Sequence, residues 1–255
     1  MPSIVYGPVP SWRLGRSLGI DMLSTAGNTC SFDCIYCQLG STSHPLTERR
    51  LFVTTHDLEM ALNDARGIPA DYATFSGMGE PTLASNLGEA IQMARSILQL
   101  PTAVLTNASL MPESDVCREL ALADVVVAKV DAPSNDLFHR INRPFGDAAL
   151  QDILDGIRRF RSAYGGNLAL QMMFIETNKD CAEQMAQIAA DISPDEIQIN
   201  TPLRPCAVGP LSPEEIAAIR QHFAGLPGVV TVYERVGPDV TPIDKQEVMR
   251  RRPER

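Results

Sequence analysis

Cys30-Ser31-Phe32-Asp33-Cys34-Ile35-Tyr36-Cys37 gathers three cysteines into one short stretch, while the others, Cys117, Cys181 and Cys206, lie far apart. The C-x3-C-x2-C spacing converges three thiols in a single loop. Thiolates are the ligands that iron–sulfur clusters select. A four-iron cluster has four corners, so three local cysteines leave one iron open to a small molecule. A structural zinc site is the alternative. Such sites close with four Cys or His ligands, yet the next histidine, His44, lies beyond the loop and the remaining cysteines supply no second C-x2-C half. A disulfide framework suits short secreted chains. It does not suit a cysteine-poor chain whose start, with Trp12, Arg13 and Arg16 after a proline-rich segment, lacks the apolar run of a signal peptide.

The C-x3-C-x-Φ-C pattern, with Tyr36 as its aromatic, resembles the cluster motif of the radical SAM enzymes. That resemblance implies a [4Fe-4S] cluster held by Cys30, Cys34 and Cys37, whose open iron chelates S-adenosylmethionine (SAM) through its amino and carboxylate groups. An electron, from a donor such as flavodoxin or ferredoxin, would then split the sulfonium and yield a 5′-deoxyadenosyl radical. Tyr36 is implied to sit beside the adenine. Upstream, Gly-Pro-x-Pro-Ser-x-Arg-Leu-Gly-Arg-Ser-Leu-Gly-Ile-Asp at residues 7–21 is similar to a radical SAM family related to the tRNA-wyosine synthase branch.

Composition agrees with an ordinary globular enzyme. With 44% hydrophobic and 21% charged residues among 255, the chain has material for one large α/β domain. No run approaches the roughly 18 apolar residues of a membrane span. The expectation is a soluble cytoplasmic protein. A formal charge of −9 opposes non-specific coating of nucleic acid, which requires Lys and Arg to neutralise phosphates. The expected organisation is a single domain with an irregular N-terminal arm at 1–16, a core at about 17–205 and a C-terminal extension at 206–255. Arginines 250–252 read as part of a solvated, extended tail.

Strand and helix patterns alternate through the core. Residues 17–23 read as the strand feeding the cysteine loop, followed by strands at 72–76, 102–105, 124–131, 168–175 and 196–200. Helices are expected at 56–66, 86–100, 114–123, 147–164, 180–192 and 212–223, with a short strand at 229–234. This describes a partial parallel (β/α)6 barrel, TIM-barrel-like, with ligand groups at the strand C-termini. The strand at 72–76 ends in Gly77-Met78-Gly79-Glu80, where glycines let a ligand approach the backbone. By resemblance this is the turn that holds the methionine amino group, and Asn107 and Asp131 reach SAM from the ends of the next two strands. Lys129 interrupts a buried run and shares a face with Asp131. Gln171 with Met173, and Gln198 with Asn200, point to a polar lumen.

Residues 136–144 resemble a polar, extended loop that holds substrate in wyosine-branch proteins. Arg13, Arg16, Arg143 and Arg204 are candidates for gripping an anionic substrate, and Cys206 is the loop thiol closest in kind to a reactive one. The expected function is reductive cleavage of SAM and hydrogen abstraction from a substrate such as an RNA base, a peptide or a cofactor precursor, making the chain an oxidoreductase. The alternative is an iron–sulfur electron carrier or cluster scaffold without SAM turnover.

Overall fold

Short apolar runs bounded by polar residues become strands buried on both faces, as parallel sheets require. The computed structural model describes residues 3–253. Its strands are β1 (Val5–Ser11), β2 (Gly15–Ile20), β3 (Thr29–Cys30), β4 (His44–Pro45), β5 (Tyr72–Phe75), β6 (Thr102–Thr106), β7 (Val125–Lys129), β8 (Asn167–Met173), β9 (Glu196–Asn200) and β10 (Val229–Thr231). Its helices are α1 (Thr55–Asp64), α2 (Leu87–Leu98), α3 (Ser114–Leu120), α4 (Asn135–Ile141), α5 (Leu150–Ala163), α6 (Ala182–Ile192), α7 (Pro213–Gln221) and α8 (Lys245–Arg251).

The main sheet runs β1-β2-β5-β6-β7-β8-β9-β10. From β2 onward each neighbour is parallel, so every βα crossover returns the chain to the same end and gathers the strand C-termini there. The edge strands β1 and β10 do not meet, which leaves the barrel partial. The helices cover its outside. On α5, Leu150, Ile153, Leu154, Ile157 and Phe160 are buried, each contributing about 1.5–3 kcal/mol of transfer free energy. Inside, register sets Lys129 beside Gln171 and Gln171 beside Gln198, with Met173 beside Asn200 one layer on. Among the described residues no helix is long and apolar enough to cross a membrane.

Three segments differ from expectation. The expected irregular arm is strand β1, antiparallel to β2. Pro8 and Pro10 read as breakers, but an edge strand tolerates prolines because one side of it needs no donor. The expected extended loop at 136–144 is largely α4, capped by the Ser134 hydroxyl, which accepts from Leu137 N at 3.4 Å. Phe138 and Ile141 are buried three residues apart, on one helical face. The expected solvated tail ends in α8, capped by Asp244, and Arg251 is buried to 1% exposure.

Candidate active site

The cysteine loop leaves β2, passes through β3 and crosses the C-terminal end of the sheet. Its backbone is fastened on several sides. Thr29 N donates to Met78 O at 2.8 Å and Glu80 N to Thr29 O at 3.2 Å, while Asp33 N and Ile35 N donate to Asn142 O and Ile141 O at 3.0 Å. Asp21 anchors its base. One carboxylate oxygen accepts from Leu23 N (3.2 Å) and Ser24 N (3.0 Å), and the other from Met78 N (3.2 Å) and Arg251 Nε (2.9 Å).

Each cysteine sulfur faces a different asparagine amide. Asn107 Nδ2 donates to Cys30 Sγ at 3.5 Å, Asn142 Nδ2 to Cys34 Sγ at 3.4 Å and Asn28 Nδ2 to Cys37 Sγ at 3.6 Å. Burial pushes the Cys34 thiol up to about 11, partly offset by Lys129, and raises Cys30 and Cys37 as well. A bound metal would favour the thiolate form of such buried sulfurs at neutral pH. Among the described residues no three His, Cys, Asp or Glu side chains converge on a point that suits a single metal ion. His44 Nδ1 faces Thr29 Oγ1 at 3.5 Å. By chemistry, three thiols with His44 engaged elsewhere suit the protein-held corners of an iron–sulfur cluster, whereas structural zinc takes four Cys or His ligands.

Beside the loop lies the Gly77–Glu80 turn. A Cβ on Gly79 would stand 1.6 Å from Thr29 O, and one on Gly77 2.3 Å from the Asp21 carboxyl carbon, so both positions exclude side chains. Of these four residues only Gly77 lines the cavity, while Met78 and Glu80 are buried. The Glu80 carboxylate turns inward to accept from Thr82 N (3.1 Å), Thr82 Oγ1 (2.7 Å), Thr106 Oγ1 (2.6 Å) and Asn107 N (2.6 Å). These bonds fix the turn to the end of β6.

Asp131 is likewise turned inward. It accepts from the Tyr36 hydroxyl, from Asn142 Nδ2 at 2.9 Å and from Met173 N at 2.9 Å, and it is 3% exposed. Lys129 stands 3.9 Å from Asp131 and 4.4 Å from the centre of the Tyr36 ring. Tyr36, Lys129, Gln171 and Met173 all line a lumen cavity of about 570 Å³ that also reaches Cys37. Asn107 sits at the cysteine edge through its Cys30 and Ser31 bonds.

The remaining candidates separate. Arg13 and Arg204 line the cavity. Arg16 does not. It pairs with Asp71 at 2.6 Å near the N-terminal ends of β2 and β5, because a residue opening a strand stands at the end opposite the cysteines. Arg143 is exposed and stands 3.7 Å from Asp33 on the outer side of the cysteine loop. The Cys206 thiol donates to Val208 O at 3.1 Å and packs against the small cluster containing Tyr36 and Ile141. Sequence reasoning missed Asn28 and Asn142 as sulfur partners and Arg251 and Arg252 as interior groups. Asn142 carries a signal in retrospect, since it closes an amphipathic helix and sits beside an arginine that ends the turn.

The Radical SAM superfamily profile matches residues 24–189. A UPF0026 protein of Synechocystis sp. is 43% identical over 202 residues, covering 79% of this chain and 76% of that protein. Among solved structures, TYW1 with a lysine-pyruvate adduct bound aligns with a TM-score of 0.65 at 16% identity, covering 83% of this chain and 74% of the other. Native anSMEcpe with bound AdoMet aligns at 0.63 and 15%, covering 85% and 64%. At such identities the two structures share the fold.

Proposed function

The chain belongs to the radical SAM superfamily, and from that premise we propose that it holds a [4Fe-4S] cluster on Cys30, Cys34 and Cys37, binds SAM at the open iron and abstracts hydrogen from a substrate seated in the lumen. It is an enzyme of SAM-dependent radical chemistry by family. When bound, the cluster and SAM supply the 5′-deoxyadenosyl radical, with one electron delivered by a flavodoxin- or ferredoxin-type donor.

The chain's own groups orient and shield. The amides of Asn28, Asn107 and Asn142 stabilise negative charge on the sulfurs, which favours the reduced form. Gly77 offers bare backbone to the cavity, so its peptide groups are free to meet a polar ligand. Tyr36 has its hydroxyl fixed by Asp131 and its ring under the Lys129 ammonium, which adds a positive charge beside the thiols. Gln171 and Met173 form the lumen wall next to them. The observation that carries this reading is the set of three sulfurs, each with its own amide, in a loop whose Cys37 lines a lumen that the bare backbone of Gly77 also lines.

The test is anaerobic reconstitution followed by addition of SAM. The expected result is a changed electron paramagnetic resonance spectrum of the reduced cluster and slow release of 5′-deoxyadenosine, accelerated by substrate. An unchanged spectrum at saturating SAM, with no SAM fragment under any reducing condition, leaves an electron carrier or cluster scaffold.

A further inference from the structure

The three asparagines that face the sulfurs are not oriented alike. Asn107 is fixed from its carbonyl end, where Oδ1 accepts from Ser109 N at 2.9 Å, which leaves Nδ2 facing Ser31 Oγ and Cys30 Sγ. Asn28 is held from its donor end by two neutral oxygens, Gly40 O and Thr42 Oγ1, both at 3.2 Å. Asn142 differs from both. Its Oδ1 is buried without a partner among the described residues, while its Nδ2 lies 2.9 Å from Asp131 Oδ2, 3.1 Å from the Tyr36 hydroxyl oxygen and 3.4 Å from Cys34 Sγ.

The two ends of a side-chain amide have nearly the same shape, so hydrogen bonding decides which end meets the sulfur. Nothing holds the carbonyl end of Asn142. The choice falls to the donor end, where the strongest acceptor is a carboxylate that is itself immobilised. Asp131 Oδ1 accepts from Met173 N at 2.9 Å, its backbone O accepts from Asn178 Nδ2 at 2.8 Å, and the residue is 3% exposed. A carboxylate only accepts, so turning Asn142 over would set one oxygen against another. The charge-assisted bond to Asp131 thus offsets the cost of leaving a buried carbonyl unpaired.

We propose that Asp131 is a positioning residue for the cluster: by holding the Asn142 amide with its donor end toward Cys34, it raises the cluster's reduction potential and eases delivery of the electron that SAM cleavage needs. The inference rests on the proposed cluster at Cys30, Cys34 and Cys37. An N–H on a ligand sulfur stabilises the added negative charge of the reduced state, and groups one step out from the ligands set how such donors point. Met173 N makes the effect of substitution specific. In Asp131→Asn that N–H still needs an acceptor, so the new side chain keeps its oxygen there and places its NH2 where the second carboxylate oxygen stood. Asn142 then turns over to offer Oδ1, and Cys34 loses its donor.

The experiment is a redox titration of the reconstituted holoenzyme followed by electron paramagnetic resonance, in the wild type, Asp131→Asn, Asn142→Leu and the double variant. Asn142→Leu removes the donor and is expected to lower the midpoint potential. Asp131→Asn removes a negative charge, which raises the midpoint, and also turns the donor away, which lowers it. In the Asn142→Leu background only the rise remains. The change in the reduction equilibrium on Asp131→Asn is therefore expected to differ about fivefold or more between the two backgrounds. Equal changes in both would mean that Asp131 acts by its charge alone and would overturn the proposal. Pulsed measurements on protein with isotopically labelled asparagine side chains supply a second readout. Three coupled nitrogens are expected in the wild type and two in Asp131→Asn. Fewer than three in the wild type, which needs no substitution, or three persisting in the variant, also overturns it. A chain that takes up no cluster fails the earlier reading and this one together, whereas an intact cluster that responds to SAM without this coupling fails this one alone.

Discussion

At the cysteine end of the lumen the polar side chains are engaged within the chain. Asp21, Glu80 and Asp131 each accept several hydrogen bonds, and Asn142 Oδ1 is left over. On the arginine side, Arg13 Nε and Gln198 Oε1 are buried without partners, and guanidinium groups crowd one another. A region whose polar groups satisfy each other holds its shape before any ligand arrives. One that leaves groups unsatisfied at a cost of about 1–3 kcal/mol each is shaped for what it receives. The first kind serves a cofactor that must always sit in one place. The second selects.

The hardest blow to this contrast comes at the sulfurs. Replacing Cys30, Cys34 or Cys37 by Ala is expected to abolish nearly all iron retention after anaerobic reconstitution, read by iron analysis and visible absorption. Full retention in any of the three would remove the cysteine end from the comparison.

Next in size is the buried pair beneath it. Asp21 and Arg251 are each 1% exposed, so Arg251→Met leaves a carboxylate buried beside the Gly77–Glu80 turn without its charge partner. Breaking such a pair from one side costs about 3–5 kcal/mol, visible as a lower urea midpoint, and Asp21→Asn/Arg251→Met should recover part of the loss. A midpoint unchanged in the single variant would mean that the region is less preorganised than its hydrogen bonds indicate.

A smaller effect is expected at the turn. Gly79→Ala must displace backbone, given the 1.6 Å approach to Thr29 O, and should weaken the spectroscopic response to SAM about tenfold with iron content preserved. Equal loss of iron and SAM response would show that turn and cluster loop are one unit.

The smallest is a pH effect. Burial raises Glu80 above its ordinary value, against the opposing hydrogen bonds from Thr106, Asn107 and Thr82. A carboxyl raised in the folded state contributes stability that is complete below its unfolded value and lost as pH rises through the folded one. Glu80→Gln should therefore gain on the wild type as pH climbs from about 4.5, where the unfolded side chain titrates. Chemical denaturation across pH 4 to 8 measures it. A difference that does not change with pH would place the Glu80 charge in a better solvated setting than its 2% exposure indicates.

How much of this was legible follows the same division. The C-x3-C-x2-C spacing, the glycine turn and β9 at residues 196–200 are local patterns, and local patterns survive folding. Lys129 was readable because a charge inside the buried run at 124–131 has few places to go. Partners fixed by long-range closure were not readable. Asn142 meets Cys34 across 108 residues and Arg251 meets Asp21 across 230, and no periodicity encodes either. Arginines 250–252 look like a soluble tail until the Asp21 carboxylate is seen behind them. β1 was hidden differently, since proline forbids a central strand and permits an edge.

Helix α8 closes the cysteine loop from outside. Arg250 Nη2 donates to Thr25 O and Ala26 O at 3.0 Å, and Gln38 Nε2 donates to Arg251 O at 2.7 Å. These contacts join residues made more than 200 positions apart. At about 5–20 residues per second of synthesis, the thiols leave the ribosome roughly 10–40 seconds before the helix that locks them. A growing chain thus carries its three cysteines on a loop already held by residues 78–142 but not yet covered by α8, and the arrival of that helix completes the enclosure of the loop.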